Sequence, residues 1–298
     1  MLTLMAIIID GLVYASWVFV VALGLTLIFG VMKILNVAHG AFYSFGAYGA
    51  ASLIGLYSQT GLPVAGGFVI ILLSSVIIGL VLGYALERVL LRPMYGHDEV
   101  VLVLVSYSAF LMMEDVLRLI WGSGAYFAYQ PFVAVGFVEI GELIVSNYDL
   151  MLIGFAITLG GAGWWLLNHS RFGHIVTAVI HDREMATSFG VNVTKVFLIT
   201  FILGAILGAL GGAVTAPKVS VTPGMGVEVI VLAFAVVAIG GMGSITGAMI
   251  GALMVGLARA AAVHLLPEVE LFAIYVVMAG VLVLRPEGLF TRVQARKI

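Results

Sequence analysis

Cysteine is absent from the 298-residue chain, which excludes disulfides, thiolate metal sites and cysteine nucleophiles. Charge is scarce: Asp, Glu, Lys and Arg make up 9% of the residues, against roughly 25% in soluble domains. The little charge present nearly cancels, with a formal net value of −2, so nucleic acid is not an expected partner. Residues 1–9 hold no Lys or Arg. The basic start of a cleavable signal is therefore missing, and the opening apolar run reads as a retained first helix. The lysines are Lys33, Lys195, Lys218 and Lys297. None follows Gly-x-x-x-x-Gly, the loop whose backbone amides cradle phosphate, so the chain is not expected to hydrolyse ATP. His39, His97, His169, His174, His181 and His264 lack metal-ligand spacing beside carboxylates. Ser-x-x-Lys and Gly-x-Ser-x-Gly are missing too. No metal and no cofactor is expected, and an enzyme is the least favoured class.

What the chain has is apolar length. It is 63% hydrophobic with a mean hydropathy of +1.22, more than a soluble fold of this size can hide and what a bilayer accommodates. Runs long enough to span fall at about 4–32, 34–57, 64–90, 100–120, 149–168, 195–216 and 243–264, with shorter ones near 226–240 and 270–284. The expectation is an all-α polytopic membrane protein of about eight to ten transmembrane helices, some short or broken. Turn residues mark the breaks: Thr60-Gly61-Leu62-Pro63, Arg92-Pro93, Thr222-Pro223-Gly224 and Gly240-Gly241-Met242-Gly243-Ser244. Segment 121–148 reads as a short hairpin or re-entrant cap on the outer face. No linker or charge block divides residues 1–298, so one transmembrane domain is expected.

Basic residues orient the spans, because cytoplasmic loops carry the excess of Lys and Arg. With nine crossings, one side collects Lys33, Arg88, Arg92, Arg171, Arg183, Lys195, Arg285, Arg292, Arg296 and Lys297. The other holds Lys218, with Arg118 and Arg259 near helix ends, and Asp10, Glu139, Glu142, Asp149, Glu268 and Glu270. The basic side, with the C-terminus, is expected to be cytoplasmic and the membrane a bacterial inner membrane.

Several groups of residues stand out. Gly204, Gly208 and Gly212 repeat every four residues, as do Gly243, Gly247 and Gly251, a spacing that lets helix backbones approach closely. Asn36 and His39 form a polar pair at the cytoplasmic start of the second span, either capping it or belonging to the translocation path. Glu114 and Arg118, four apart in the fourth span, are positioned to pair, while Asp115 points elsewhere, toward the path or a partner; both carboxylates are candidates for the translocation path. Glu228 opens a short apolar segment and either caps it or faces an outer vestibule. Arg259 and His264 read as interfacial. The polar stretch 168–195 contains a helix-capable run from Ile175 to Phe189, ended by Gly190. Its mixed charges Asp182, Arg183 and Glu184 suit a protein partner better than a lipid surface, where Lys and Arg prevail.

Glu184-Met185-Ala186-x-x-x-Gly190 resembles the Glu-Ala-Ala-x-x-x-Gly loop of ABC importer permeases, with Met185 in place of the first Ala. Further blocks resemble permease subunits of the branched-chain amino-acid ABC importers, in order along nearly the whole chain. They are the stretch from Gly24 to Phe42, containing Lys33-Ile-Leu-Asn36-Val-Ala-His39-Gly40; Arg92-Pro93-Met94; Leu119-Ile-Trp-Gly122; Arg171-Phe-Gly173; Gly240-Gly-Met-Gly-Ser244; and Arg285-Pro-Glu-Gly-Leu-Phe290. The resemblance implies a permease that pairs with a second homologous permease, two cytoplasmic ATPases that bind ATP and Mg, and a periplasmic solute-binding protein. It also implies an ATPase-coupling helix with Asp182, Arg183, Glu184, Ala186 and Gly190. Members of the family also move urea, short amides and aromatic acids, so branched-chain amino acids are the leading solute rather than the only one. The alternatives at this point are a stand-alone ion-coupled secondary transporter or channel, and a non-transporting membrane scaffold.

Overall fold

The computed structural model describes residues 2–290, and these are almost wholly helical. In chain order come α1 (Leu2–Met32), α2 (His39–Ser58) and α3 (Ala65–Ala85), the last continued by a π-helical turn (Leu86–Leu91) and a 3₁₀ turn (Arg92–Met94). Then follow α4 (Glu99–Trp121), strands β1 (Phe137–Ile140) and β2 (Leu143–Ser146), α5 (Asn147–His169), α6 (Arg171–His181) and α7 (Arg183–Ser188). The chain closes with α8 (Val193–Thr215), α9 (Met225–Gly240), α10 (Ile245–Leu265) and α11 (Glu270–Leu284). Six helices are long and apolar enough to cross a bilayer: α1, α3 with its extension, α4, α5, α8 and α10. The shorter or less apolar α2, α9 and α11 pack among them. The protein is thus an all-α polytopic membrane protein. Arg292, Arg296 and Lys297 lie outside the described residues.

Helix starts are fixed by local polar chemistry. Side chains of Asp98, Ser146, Asn192 and Ser244 accept hydrogen bonds from the amides of Val100, Tyr148, Lys195 and Gly247. Each satisfies an amide that has no partner within its helix. Helix α8 lies at the centre, between α1, α2 and α3. Between helices in lipid the hydrophobic effect offers little, and close backbone packing takes its place. A Cβ at Gly212 would stand 1.9 Å from the Tyr43 carbonyl oxygen, and one at Gly204 2.5 Å from Ile28. At Gly208 it would meet the His39 ring at 2.9 Å. Gly247 and Gly251 bring α10 against α9, with a Cβ 2.1 Å from the Gly240 oxygen and 2.4 Å from that of Val236. Gly243 (φ +88°) turns the chain where a Cβ would lie 2.9 Å from the Gly30 Cα.

One local expectation holds and two need adjustment. Segment 121–148 does contain a hairpin, with Phe137 opposite Ser146, and Tyr126 pairs with Val221 beside it. The run from Ile175 to Phe189 is two helices rather than one. Asp182 adopts an extended conformation (φ −154°, ψ 106°) and accepts from the Met185 amide, so it ends α6 and caps α7. Finally, α2 does not begin at the membrane surface. Its first residue, His39, reaches the carbonyl of Val21 at 3.0 Å, eleven residues or roughly 16 Å up α1 from Met32. Residues 33–38 therefore run back into the bundle as non-helical chain. Irregular backbone at such depth is tolerated because it is enclosed by protein.

Candidate functional site

A cavity opens at the end of the bundle that carries Asp10, Asp149 and Glu270. It holds about 630 Å³. Helices α1, α2, α5, α8, α9, α10 and α11 all contribute to its wall. Val13, Trp17, Val229 and Leu232 supply apolar surface, and Tyr43 and Thr215, bonded to each other at 2.7 Å, lie where α2 meets α8. Most of the charges are already matched. Lys218 pairs with Asp149, and Arg259 pairs with Glu270 while lying 4.2 Å over the Tyr14 ring. His264 meets Asp10 at 2.7 Å. Glu228, in the first turn of α9, also lines the cavity.

The four path candidates from the sequence do not line this cavity. Asn36 is fully buried in the 33–38 segment, and neither atom of its amide has a hydrogen-bond partner, a deficit of about 1–3 kcal/mol per unmet group. The segment is held instead through Ser106, whose hydroxyl accepts from the Val37 amide at 3.1 Å and shares its proton between the Val103 carbonyl of its own helix at 2.9 Å and the Leu35 carbonyl at 3.3 Å. His39 is buried where α1, α2 and α8 meet, against Gly24 and Gly208. Glu114 does not pair with Arg118. It is buried, with one carboxylate oxygen accepting from the Ser44 hydroxyl at 3.0 Å and the other from the Gly224 amide at 3.1 Å. Arg118 lies instead 3.8 Å from Asp115 on an exposed face of α4. One residue of helix rotation separates the two carboxylates, and it points Glu114 inward and Asp115 outward.

At the opposite end stand Lys33, Arg88, Arg92, Arg171, Lys195 and Arg285, and α6 and α7 lie among them. Helix α6 is amphipathic, burying Gly173, Val176 and Val179. In α7 only Ala186 is buried. Met185 and Phe189, four apart, are 52% and 81% exposed, and Glu184 and Ser188 flank them on the surface. Gly190 (φ +84°) adopts the left-handed conformation that ends the helix, and its amide reaches the Thr187 carbonyl at 2.9 Å. Arg183 reaches back to the bundle: it donates to the Met32 carbonyl at 3.1 Å and lies 4.7 Å over the Phe197 ring. Burial pushes the Lys33 ammonium below its usual pKa, and the charge of Arg183 pushes the same way.

Of the cavity-lining residues, the sequence had singled out Glu228, Arg259 and His264 but could not bring them together. Tyr14, Tyr43 and Thr215 carried no signal, because in an apolar helix a lone aromatic or hydroxyl residue looks like packing.

Fold and site together define a multi-pass α-helical membrane protein with a polar cavity at one end and a projecting helix at the other. The chain belongs to the family of branched-chain amino acid transport system permease components, whose pattern it matches over residues 7–284. The high-affinity branched-chain amino acid transport system permease protein BraD of Pseudomonas aeruginosa is 28% identical over 97% of this chain and 96% of its own length. LivH of Escherichia coli, of the same description, is 26% identical over the same shares. The ribose import permease protein RbsC of Escherichia coli is 32% identical over 32% of each chain.

Proposed function

We propose that this chain is the solute-conducting permease subunit of an ATP-binding-cassette importer, acting as one transmembrane domain and moving branched-chain amino acids by alternating access. Separate ATPase subunits would supply the energy and the ATP and Mg sites. A second homologous permease would complete the path, and a periplasmic binding protein would deliver solute to the cavity. The observation that carries this reading is the exposed Met185–Phe189 pair on α7, held outside the apolar spans at the basic end. Two large apolar side chains presented to water call for a covering partner. The positive-inside rule puts that end, and the C-terminus, in the cytoplasm, where ATP is. Within the cavity, Glu228 is suited to the solute's ammonium group and the apolar wall to its side chain.

A stand-alone ion-coupled carrier would need a buried carboxylate free to exchange an ion. Two carboxylates are buried in the described spans: Glu114, with both oxygens engaged, and Glu87, which accepts from the Tyr95 hydroxyl at 2.8 Å and has its other oxygen unbonded. The match to the permease family along residues 7–284 favours the importer reading. The test is uptake of radiolabelled leucine into proteoliposomes holding this chain, its partner permease and the ATPases. Uptake that requires both internal ATP and external binding protein is expected. Uptake driven by a proton or sodium gradient without ATP would refute the reading.

A further inference from the structure

Arg183 belongs to α7, yet its side chain leaves that helix for the bundle. The atom it holds is the carbonyl of Met32, the last residue of α1 and one of the acceptors that a helix end leaves without an internal partner. The next residue, Lys33, is the non-glycine residue with positive φ (+59°) among the described residues, so the chain changes direction at the point where Arg183 grips it. From there residues 33–38 climb into the bundle to α2. Gly40 then packs against α9, where a Cβ would lie 2.5 Å from the Gly226 oxygen. One turn further Tyr43 lines the cavity. The Arg183 side chain thus joins α7 to a stretch of backbone that runs from Met32 to the cavity wall. Its non-helical part is tied to α4 through the Ser106 hydroxyl, and the Asn36 side-chain amide within it bonds to no protein group. A segment so lightly bonded has few hydrogen bonds to break when it shifts.

We infer that Arg183 is a positioning residue that transmits displacement of α7 to the 33–38 segment, and through it to α2 and the cavity. The inference rests on the reading of α7 as the ATPase contact. Arg183 is exposed on α7, but the bond to Met32 and the Phe197 ring turn its guanidinium toward the bundle, so its role here is transmission rather than attachment.

The test uses the complete importer in proteoliposomes, with radiolabelled leucine and leucine-loaded binding protein. In Arg183→Gln the ATPases are expected to stay bound at wild-type stoichiometry, with hydrolysis in the absence of binding protein within about twofold of wild type. Leucine uptake should fall by about tenfold or more, the scale of one lost charge-assisted hydrogen bond. Arg183→Lys keeps a cation and a donor, and should lose less. A nitroxide on Leu35→Cys, in a chain free of other cysteines, should change mobility when ADP and vanadate trap the ATPases. Normal uptake by Arg183→Gln overturns the inference alone. Loss of the ATPases from that variant makes Arg183 a docking residue and overturns it too, as does an unchanged Leu35→Cys spectrum, which is independent of whether the variants fold. A wild-type chain that retains no ATPase defeats the underlying reading, and this inference with it.

Discussion

Helices α5 and α8 are each 23 residues long and similarly apolar, yet α5 is mostly exposed and α8 mostly buried. Both contain several glycines. The difference lies in what the glycines meet. On α8, Gly204, Gly208, Gly211 and Gly212 stand against backbone or side chains of α1 and α2. On α5, Gly154 and Gly161 have nothing within 4 Å, and the buried residues Tyr148, Leu152, Ala156 and Gly160 form a single stripe. Glycine in a membrane helix therefore signals packing only where another backbone shares the place. The α8 seam organises the subunit, and the outer face of α5 is left to lipid or another chain.

The contrast can be broken most directly at Gly212. Gly212→Val places a side chain where 1.9 Å is available before the Tyr43 oxygen, and should cost about 3 kcal/mol or more. It would be read as a lost folded fraction or a sharply lower thermal midpoint in detergent. Gly161→Ala on α5 should leave that midpoint almost unchanged. Equal effects at the two sites would end the distinction. The same inside–outside contrast recurs between adjacent carboxylates. Glu114→Ala strands the Ser44 hydroxyl and the Gly224 amide and should cost about 2–3 kcal/mol, again visible as a lowered midpoint. At the cavity, Glu228→Gln keeps the shape and removes the charge. It should raise the half-saturating leucine concentration for uptake by about tenfold, with little change in thermal midpoint. The smallest effect belongs to Asp115→Asn, which breaks an exposed pair and should alter stability by under about 0.5 kcal/mol.

Most of the fold was readable from the sequence because the bilayer imposes a simple condition: a span must be apolar and long. The starts and ends of α1, α4, α5, α8 and α10 follow from that condition together with capping residues such as Asp98 and Ser244. The depth of α2 was not readable. Asn36 and His39 look like residues at a helix start near the surface, and only contact with Val21 reveals that the chain has turned back inside. The break at Asp182 was obscured because Asp serves equally as a helix surface residue and as a cap. Pairing by spacing also failed at Glu114. Four residues bring Arg118 to the same helix face, but α2 and the start of α9 offer the carboxylate two better-placed donors. The cavity draws one or two residues from each of several helices, and such sets leave no local pattern.

The central claim, that α7 is where a separate motor attaches, is tested most directly by purifying the chain from native membranes in mild detergent and identifying its companions by mass spectrometry. The same measurement is repeated on Phe189→Ala. The account predicts that an ATPase and a second hydrophobic permease accompany the wild-type chain in fixed ratio. It predicts that the ATPase is depleted from Phe189→Ala while the second permease remains. A wild-type chain recovered alone, or an ATPase retained undiminished by Phe189→Ala, would contradict it.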